Sequence, residues 1–146
     1  MIRVETYEDP GDEDHPLIHE SIEELCQSTF HDQGQTDGAL TLVITSDEKL
    51  RDLKLRYLKK DQYTDVIAFN LSSDGEPIDA EVYVSYERVK ENAENFKQSL
   101  DHELKRIIIH GILHVCGYDD DTKEKKAIMT SNEDRLIDIN TKRVVA

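Results

Sequence analysis

Apolar and polar residues alternate from Ile2 to Tyr7, the two-residue period of a strand with one buried face. The acidic stretch Glu8 to Asp14, broken by Pro10 and Gly11, reads as a turn, with Pro16 expected in the first turn of a helix. From Leu17 to Phe30 the positions Leu17, Ile18, Ile22, Leu25, Cys26 and Phe30 recur at three- and four-residue spacing, which predicts an amphipathic helix. After a loop at Gly34 to Gly38, the run Ala39 to Thr45 is apolar enough for a strand. Ser46-Asp47 offers an N-cap to a helix that ends near Tyr57 and carries Leu50, Leu53 and Leu55. Thr64 to Leu71 reads as a strand, Ser72 to Pro77 as a turn, and Ala80 to Ser85 as a fourth strand. Ser85 can cap a helix from Tyr86 to Phe96. Two further helices are expected at about Ser99 to Cys116 and Lys123 to Ile137. No repeat or low-complexity tract divides the chain, so strands interspersed with helices predict one layered domain, α+β or α/β, over residues 1–146.

Composition narrows the class. No apolar run approaches the ~20 residues that cross a bilayer, and the start Met1 to Glu5 lacks the basic and apolar parts of a secretory signal. Cys26 and Cys116 lie far apart and form no CxxC pair, so a reduced, cytoplasmic protein is expected. Lys and Arg number 18 against 32 Asp and Glu, a net charge of −14, which argues against a protein that coats nucleic acid with its whole surface. A local basic patch survives. Lys49, Arg51, Lys54, Arg56, Lys59 and Lys60 fall within one short stretch, interleaved with Glu48, Asp52 and Asp61. Either this is a solvated helix face or it is a surface for an anionic substrate; in the second case Lys54, Arg56, Lys59 and Lys60 are the expected phosphate contacts.

The densest chemistry lies in the segment Ile107 to Asp121. His110 and His114 are four residues apart on a predicted helix, so both imidazoles share one face, the spacing by which a helix offers two nitrogens to one divalent metal. Gly117 suits a helix stop, after which the chain can fold back and supply a third ligand from Asp119, Asp120 or Asp121. Cys116 falls about 200° round the helix from His114 and reads as a small core residue. His15 and His19 straddle the start of an acidic helix and read as exposed, and His31 and His102 have nothing specific around them. Gly111 stands where a zincin HExxH would carry its glutamate, which removes the base of that protease chemistry. No catalytic side chain stands out, and the nucleophile expected is a water on the metal.

The run His110-Gly111-Ile112-Leu113-His114-Val115-Cys116-Gly117-Tyr118-Asp119-Asp120 resembles the motif HGxLHxxGYDH of the YbeY-type endoribonucleases, metal-dependent rRNA maturation factors of bacteria. A second block, Tyr57 to Phe69, resembles that family's YRxxDxxTDVxSF, and the likeness covers about Leu40 to Leu136. The resemblance implies a single α+β domain with a mixed sheet of about four strands covered by helices, and the His110–His114 helix beneath it. A cleft would open between that helix and the Thr64–Leu71 strand. It also implies one metal, Zn2+ or another first-row ion, on His110, His114 and Asp120, the last in place of the family's third histidine. The implied activity is cleavage of single-stranded RNA in rRNA maturation and ribosome quality control, with the small ribosomal subunit and its assembly factors as partners. Two more departures stand out: Leu58 replaces the arginine after the motif tyrosine, and Ala80-Glu81 replaces the usual Gly-Asp. Leu58 and the acidic surface favour an alternative, a ribosome-assembly binding factor with weak or no hydrolase activity.

Overall fold

The computed structural model describes residues 1–146 as β1 (Ile2–Asp9), α1 (His19–Asp32), β2 (Gly38–Thr45), α2 (Asp47–Leu58), β3 (Val66–Asn70), β4 (Ile78–Ser85), α3 (Tyr86–Asn95), α4 (Leu100–Val115) and α5 (Lys123–Ile139). The strands form one mixed sheet in the order β1-β2-β4-β3. β1, β2 and β4 are parallel neighbours, and β3 runs antiparallel to β4. Parallel neighbours need a crossover, and α1 supplies the one between β1 and β2. This is the α+β class the residues imply.

Alternation decides which face is buried. Leu40, Leu42 and Ile44 of β2 and Ala80, Val82 and Val84 of β4 point to the same side, where they meet Ile22, Leu25 and Phe30 of α1 and the apolar run of α4 in one core. The second half of α4, Ile107 to Val115, is apolar apart from His110 and His114, as a helix segment enclosed between sheet and other helices must be. The opposite face is covered only in part: Leu50 and Leu53 of α2 pack on Ile67, flanked by Phe69 and Tyr83. Ser46, Ser85, Ser99 and Thr122 each accept the backbone N–H three residues on and so start α2, α3, α4 and α5.

Several boundaries differ from the sequence reading, and β1 runs on through Glu8 and Asp9, where a turn is expected. Leu17 and Ile18 are extended, not helical, because the Ile18 N–H donates to Val144 O, the Ala146 N–H donates to Pro16 O, and Leu17 bridges to Val145. Pro16 therefore lies outside α1. β3 starts at Val66 rather than Thr64, and β4 starts at Ile78 rather than Ala80. The C-terminal segment is fixed from α4: Asp101 Oδ1 accepts the Val144 and Val145 N–H groups, and buried Lys105 donates to Asn140 O at 3.0 Å and pairs with Asp101 at 3.3 Å.

Candidate metal centre

The packing of α4 fixes where its two histidines point. Gly111 faces the sheet, and a Cβ there would lie 2.8 Å from Val82 Cγ1 and 3.1 Å from Val66 Cγ2. Glycine thus lets the helix press directly against β3 and β4, and it turns His110 and His114 toward the edge of the sheet. A side chain at this position would enter the sheet, not the cleft. α4 then ends in a Schellman turn: the Tyr118 N–H donates to Leu113 O and the Gly117 N–H to His114 O, with Gly117 at φ +102°. Asn70 Nδ2 donates to Val115 O at 3.1 Å and ties this end to β3.

The turn carries Asp120 back over the helix. Its Oδ2 lies 3.4 Å from His110 Nε2 and 3.8 Å from His114 Nε2, and the two Nε2 atoms are 3.1 Å apart. Ligands about 2.1 Å from a tetrahedral ion stand roughly 3.4 Å from one another. The three donors therefore match the spacing a single small cation requires, and all three line the cleft. Asp119 and Asp121 are exposed like Asp120 but lie outside this cluster, and Asp121 pairs with Lys125 at 3.3 Å instead.

Behind His110 lies a group the sequence reading missed. His110 Nδ1 is 2.6 Å from Glu133 Oε2, and Glu133 is only 2% exposed. A carboxylate only accepts, so His110 Nδ1 donates to Glu133, and Nε2 is the ring nitrogen left on the side of Asp120. Glu133 is held in turn by Arg106 at 3.6 Å, and Arg106 donates twice to buried Glu103, at 2.8 and 2.5 Å. The Glu103 carboxylate beside it keeps the Arg106 guanidinium above the usual arginine range, against the desolvation that would lower it. Counting Asp120, carboxylates outnumber cations around the histidines, which suits a site for a positive ion.

The cleft above these donors is walled by Lys54 and Leu58 of α2, by Thr64, Asp65, Val66, Ile67 and Ala68 at β3, and by His110, His114 and Asp120. It opens between α4 and the start of β3, the place the sequence motifs imply. Of the four basic residues expected to contact phosphate, this wall holds Lys54 alone. Arg56 pairs with Asp52 at 3.0 Å, Lys59 ends α2 in the left-handed region at φ +57°, and Lys60 follows in the exposed loop. Arg51 is also occupied, by Asp61 at 2.5 Å.

The family model described as Endoribonuclease YbeY matches residues 7–140. This chain belongs to that family. The Endoribonuclease YbeY of Flavobacterium psychrophilum is 38% identical over 110 residues, 75% of this chain and 78% of that protein. The one from Bacteroides thetaiotaomicron is 31% identical over 132 residues, 90% and 96% of the two chains. The solution structure of a Thermotoga maritima protein superposes with a TM-score of 0.60 at 25% identity, covering 95% of this chain and 91% of that one.

Against the YbeY motifs, Asp120 stands at the third-histidine position and still brings an oxygen to the cluster. Leu58 lines the cleft, so an apolar side chain occupies the wall where the motif has arginine. Glu81 lies on the outer face, where it accepts from the Tyr83 hydroxyl at 3.3 Å, and stays out of the cleft. Cys116 packs against the main core, and burial pushes its thiol up to about 11. His15 is exposed beside Asp12, whereas His19 is only half-exposed, bonded to Glu8 at 2.6 Å and to the Thr6 hydroxyl. The expectation that His19 is exposed is thus corrected: it is partly covered and ties the start of α1 to β1.

Proposed function

We propose that this chain is a metal-dependent endoribonuclease acting on single-stranded RNA in rRNA maturation and ribosome quality control, as one metallohydrolase domain over residues 1–146. The observation that carries the reading is the convergence of His110, His114 and Asp120 to within 4.8 Å beneath a cleft with Lys54 in its wall. The relatives' printed name, Endoribonuclease YbeY, supports RNA as substrate. Two imidazoles and one carboxylate suit Zn2+, which we assign as the cofactor. Held by His110, His114 and Asp120, such an ion would supply Lewis acidity for activating water and for offsetting phosphoryl charge. The rest falls to the chain. Glu133 fixes the His110 tautomer, Arg106 holds Glu133 in place, and the Lys54 ammonium meets the phosphate. Leu58, Val66 and Ala68 exclude water from one side. Partners on this reading are rRNA of the small ribosomal subunit and its assembly factors, in the cytoplasm. No helix is long and apolar enough to cross a membrane.

Leu58 in the cleft wall favours a second reading, an assembly factor that binds but barely cleaves. Metal analysis of the parent, His110→Ala and His114→Ala, with cleavage assays on single-stranded and duplex RNA, separates the two. The parent should carry about one zinc per chain, and each variant should lose most of its affinity, since two ligands do not close a stable site. Cleavage should follow the metal and spare duplexes. A parent that holds metal but leaves RNA intact supports the assembly factor. Variants that hold metal as well as the parent would place the site elsewhere.

A further inference from the structure

The last turn of α2 sends side chains to both sides of the free edge of β3. Lys54 and Leu58, four residues apart, line the metal cleft. Tyr57 instead continues the Leu50–Leu53 stripe onto the outer face of the sheet. Its ring meets Phe69 edge-on with centroids 5.9 Å apart, and Phe69 meets Tyr83 in the same way at 6.1 Å. Because α2 ends at Leu58, the row is left open: Tyr57 is 60% exposed.

Cleft and ring row are one strand apart. The Leu71 N–H donates to Asp79 O and the Ser85 N–H to Asp65 O, which sets the bonded pairs of the β3–β4 ladder. Ile67 and Phe69 therefore spend their backbone groups on β4, and Val66 and Ala68 point theirs outward from the edge. No strand lies beyond β3, so an extended chain leaving the cleft can cross this edge onto the rings. Charge favours a polyanion here despite the net −14. Arg51 and Arg56 neutralise Asp61 and Asp52, while Lys54, Lys59 and Lys60 make no ion pair.

We propose that Tyr57, backed by Phe69, stacks an unpaired nucleobase of an RNA strand whose neighbouring phosphate lies in the metal cleft. The proposal rests on the endoribonuclease reading and adds to it a physical basis for taking single strands. A base inside a duplex has both faces covered by its neighbours and has none to offer Tyr57. Stacking uses the π-face that every base has, so the subsite accepts any sequence. The competing account is packing alone, in which Tyr57 merely closes the end of α2 over Phe69. Leucine separates the two, because it keeps an apolar contact with Phe69 but has no π-face.

The test is fluorescence anisotropy of the metal-loaded full chain with a labelled, unstructured RNA of about twelve nucleotides, long enough to span such a site. It is read cold before cleavage, and a gel confirms intact RNA. Parent, Tyr57→Phe and Tyr57→Leu are compared, with urea midpoints showing that all three fold. Tyr57→Phe should bind like the parent, and Tyr57→Leu should bind about 5- to 100-fold more weakly. A leucine variant that binds like the parent overturns the proposal, as does a phenylalanine variant as weak as leucine, or a parent with no affinity for the RNA. Hydrolysis of bis(p-nitrophenyl) phosphate by the parent, a small phosphodiester that carries no nucleotide, tests the metal-dependent hydrolase reading separately. A parent inert toward both that ester and RNA sinks the nuclease, whereas cleavage with an indifferent Tyr57 sinks only the stacking site.

Discussion

Glu133 lies 2.6 Å from His110 but on another helix, among the acids Glu124, Asp134 and Asp138 of α5. The histidine pair was legible because four-residue spacing is a local property of one helix. Glu133 was not, because only the packing of α5 on α4 distinguishes it from its solvated neighbours. Its removal should be felt at the metal. Glu133→Gln keeps an acceptor near Nδ1 but loses the charge that strengthens His110 as a donor, so zinc affinity should fall about 10- to 100-fold. Competition against a chromophoric chelator measures this, and an unchanged affinity would reduce Glu133 to a core ion-pair partner. Gly111 raises the same issue in packing. The motif showed a glycine in place of a base, but not that the residue faces Val82 and Val66. Gly111→Ala must displace two sheet side chains, and urea titration should show a loss of about 1–3 kcal/mol. A loss below the error of the titration would mean that α4 can back away freely, and the cleft geometry argued from its close approach would go with it.

At the scale of elements, all nine helices and strands were foreseen, and their ends depended on partners far along the chain. By local rules alone, Pro16 suits the first turn of a helix. The expectation fails because residues 16 to 18 pair with the last three residues of the chain, and nothing near Pro16 in sequence announces that pairing. Asp101 governs this closure. Burial would raise its carboxyl, but the Val144 and Val145 N–H groups and the Lys105 ammonium outweigh burial and hold it below the usual carboxylate range. A carboxyl lowered on folding contributes stability above its unfolded value of about 3.9 and loses it as pH falls through the folded value. Asp32 beside Arg135 and Asp61 beside Arg51 are lowered as well, so their smaller, solvent-screened contributions have the same sign. The urea midpoint should therefore hold between pH 7 and about 5 and fall below about 4. Asp101→Asn keeps an acceptor for both N–H groups but loses the pair with Lys105, so its plateau should be lower and its acid slope shallower. A variant with the parent's acid slope would exclude Asp101 as a source of the acid sensitivity.

For the whole molecule, the decisive quantity is charge: a body of net −14 repels RNA except where cations are unspent. Sequence counting placed Lys54, Arg56, Lys59 and Lys60 on equal terms, since it sees residues and not their partners. The fold separates them, leaving Arg56 on Asp52 and the three lysines without an ion-pair partner around the end of α2. Each single-strand phosphate contact contributes roughly 0.7 to the slope of log affinity against log salt. Replacing Lys54, Lys59 and Lys60 together with Gln should then flatten that slope by about 2, at unchanged metal content. Arg56→Gln should lower affinity through the local field yet leave the slope close to the parent's, because no phosphate contact is lost. Leu58→Arg, which puts a cation in the cleft wall, should raise cleavage more than binding, since charge beside the reacting phosphate favours the transition state over the ground state. The three measurements constrain one another. If the triple lysine variant keeps the parent's slope, those lysines are a solvated helix end, and RNA must reach the cleft by some other face. If Leu58→Arg binds more tightly but cleaves no faster, the cleft holds RNA without placing its phosphate over His110, His114 and Asp120, and the assembly-factor reading takes precedence.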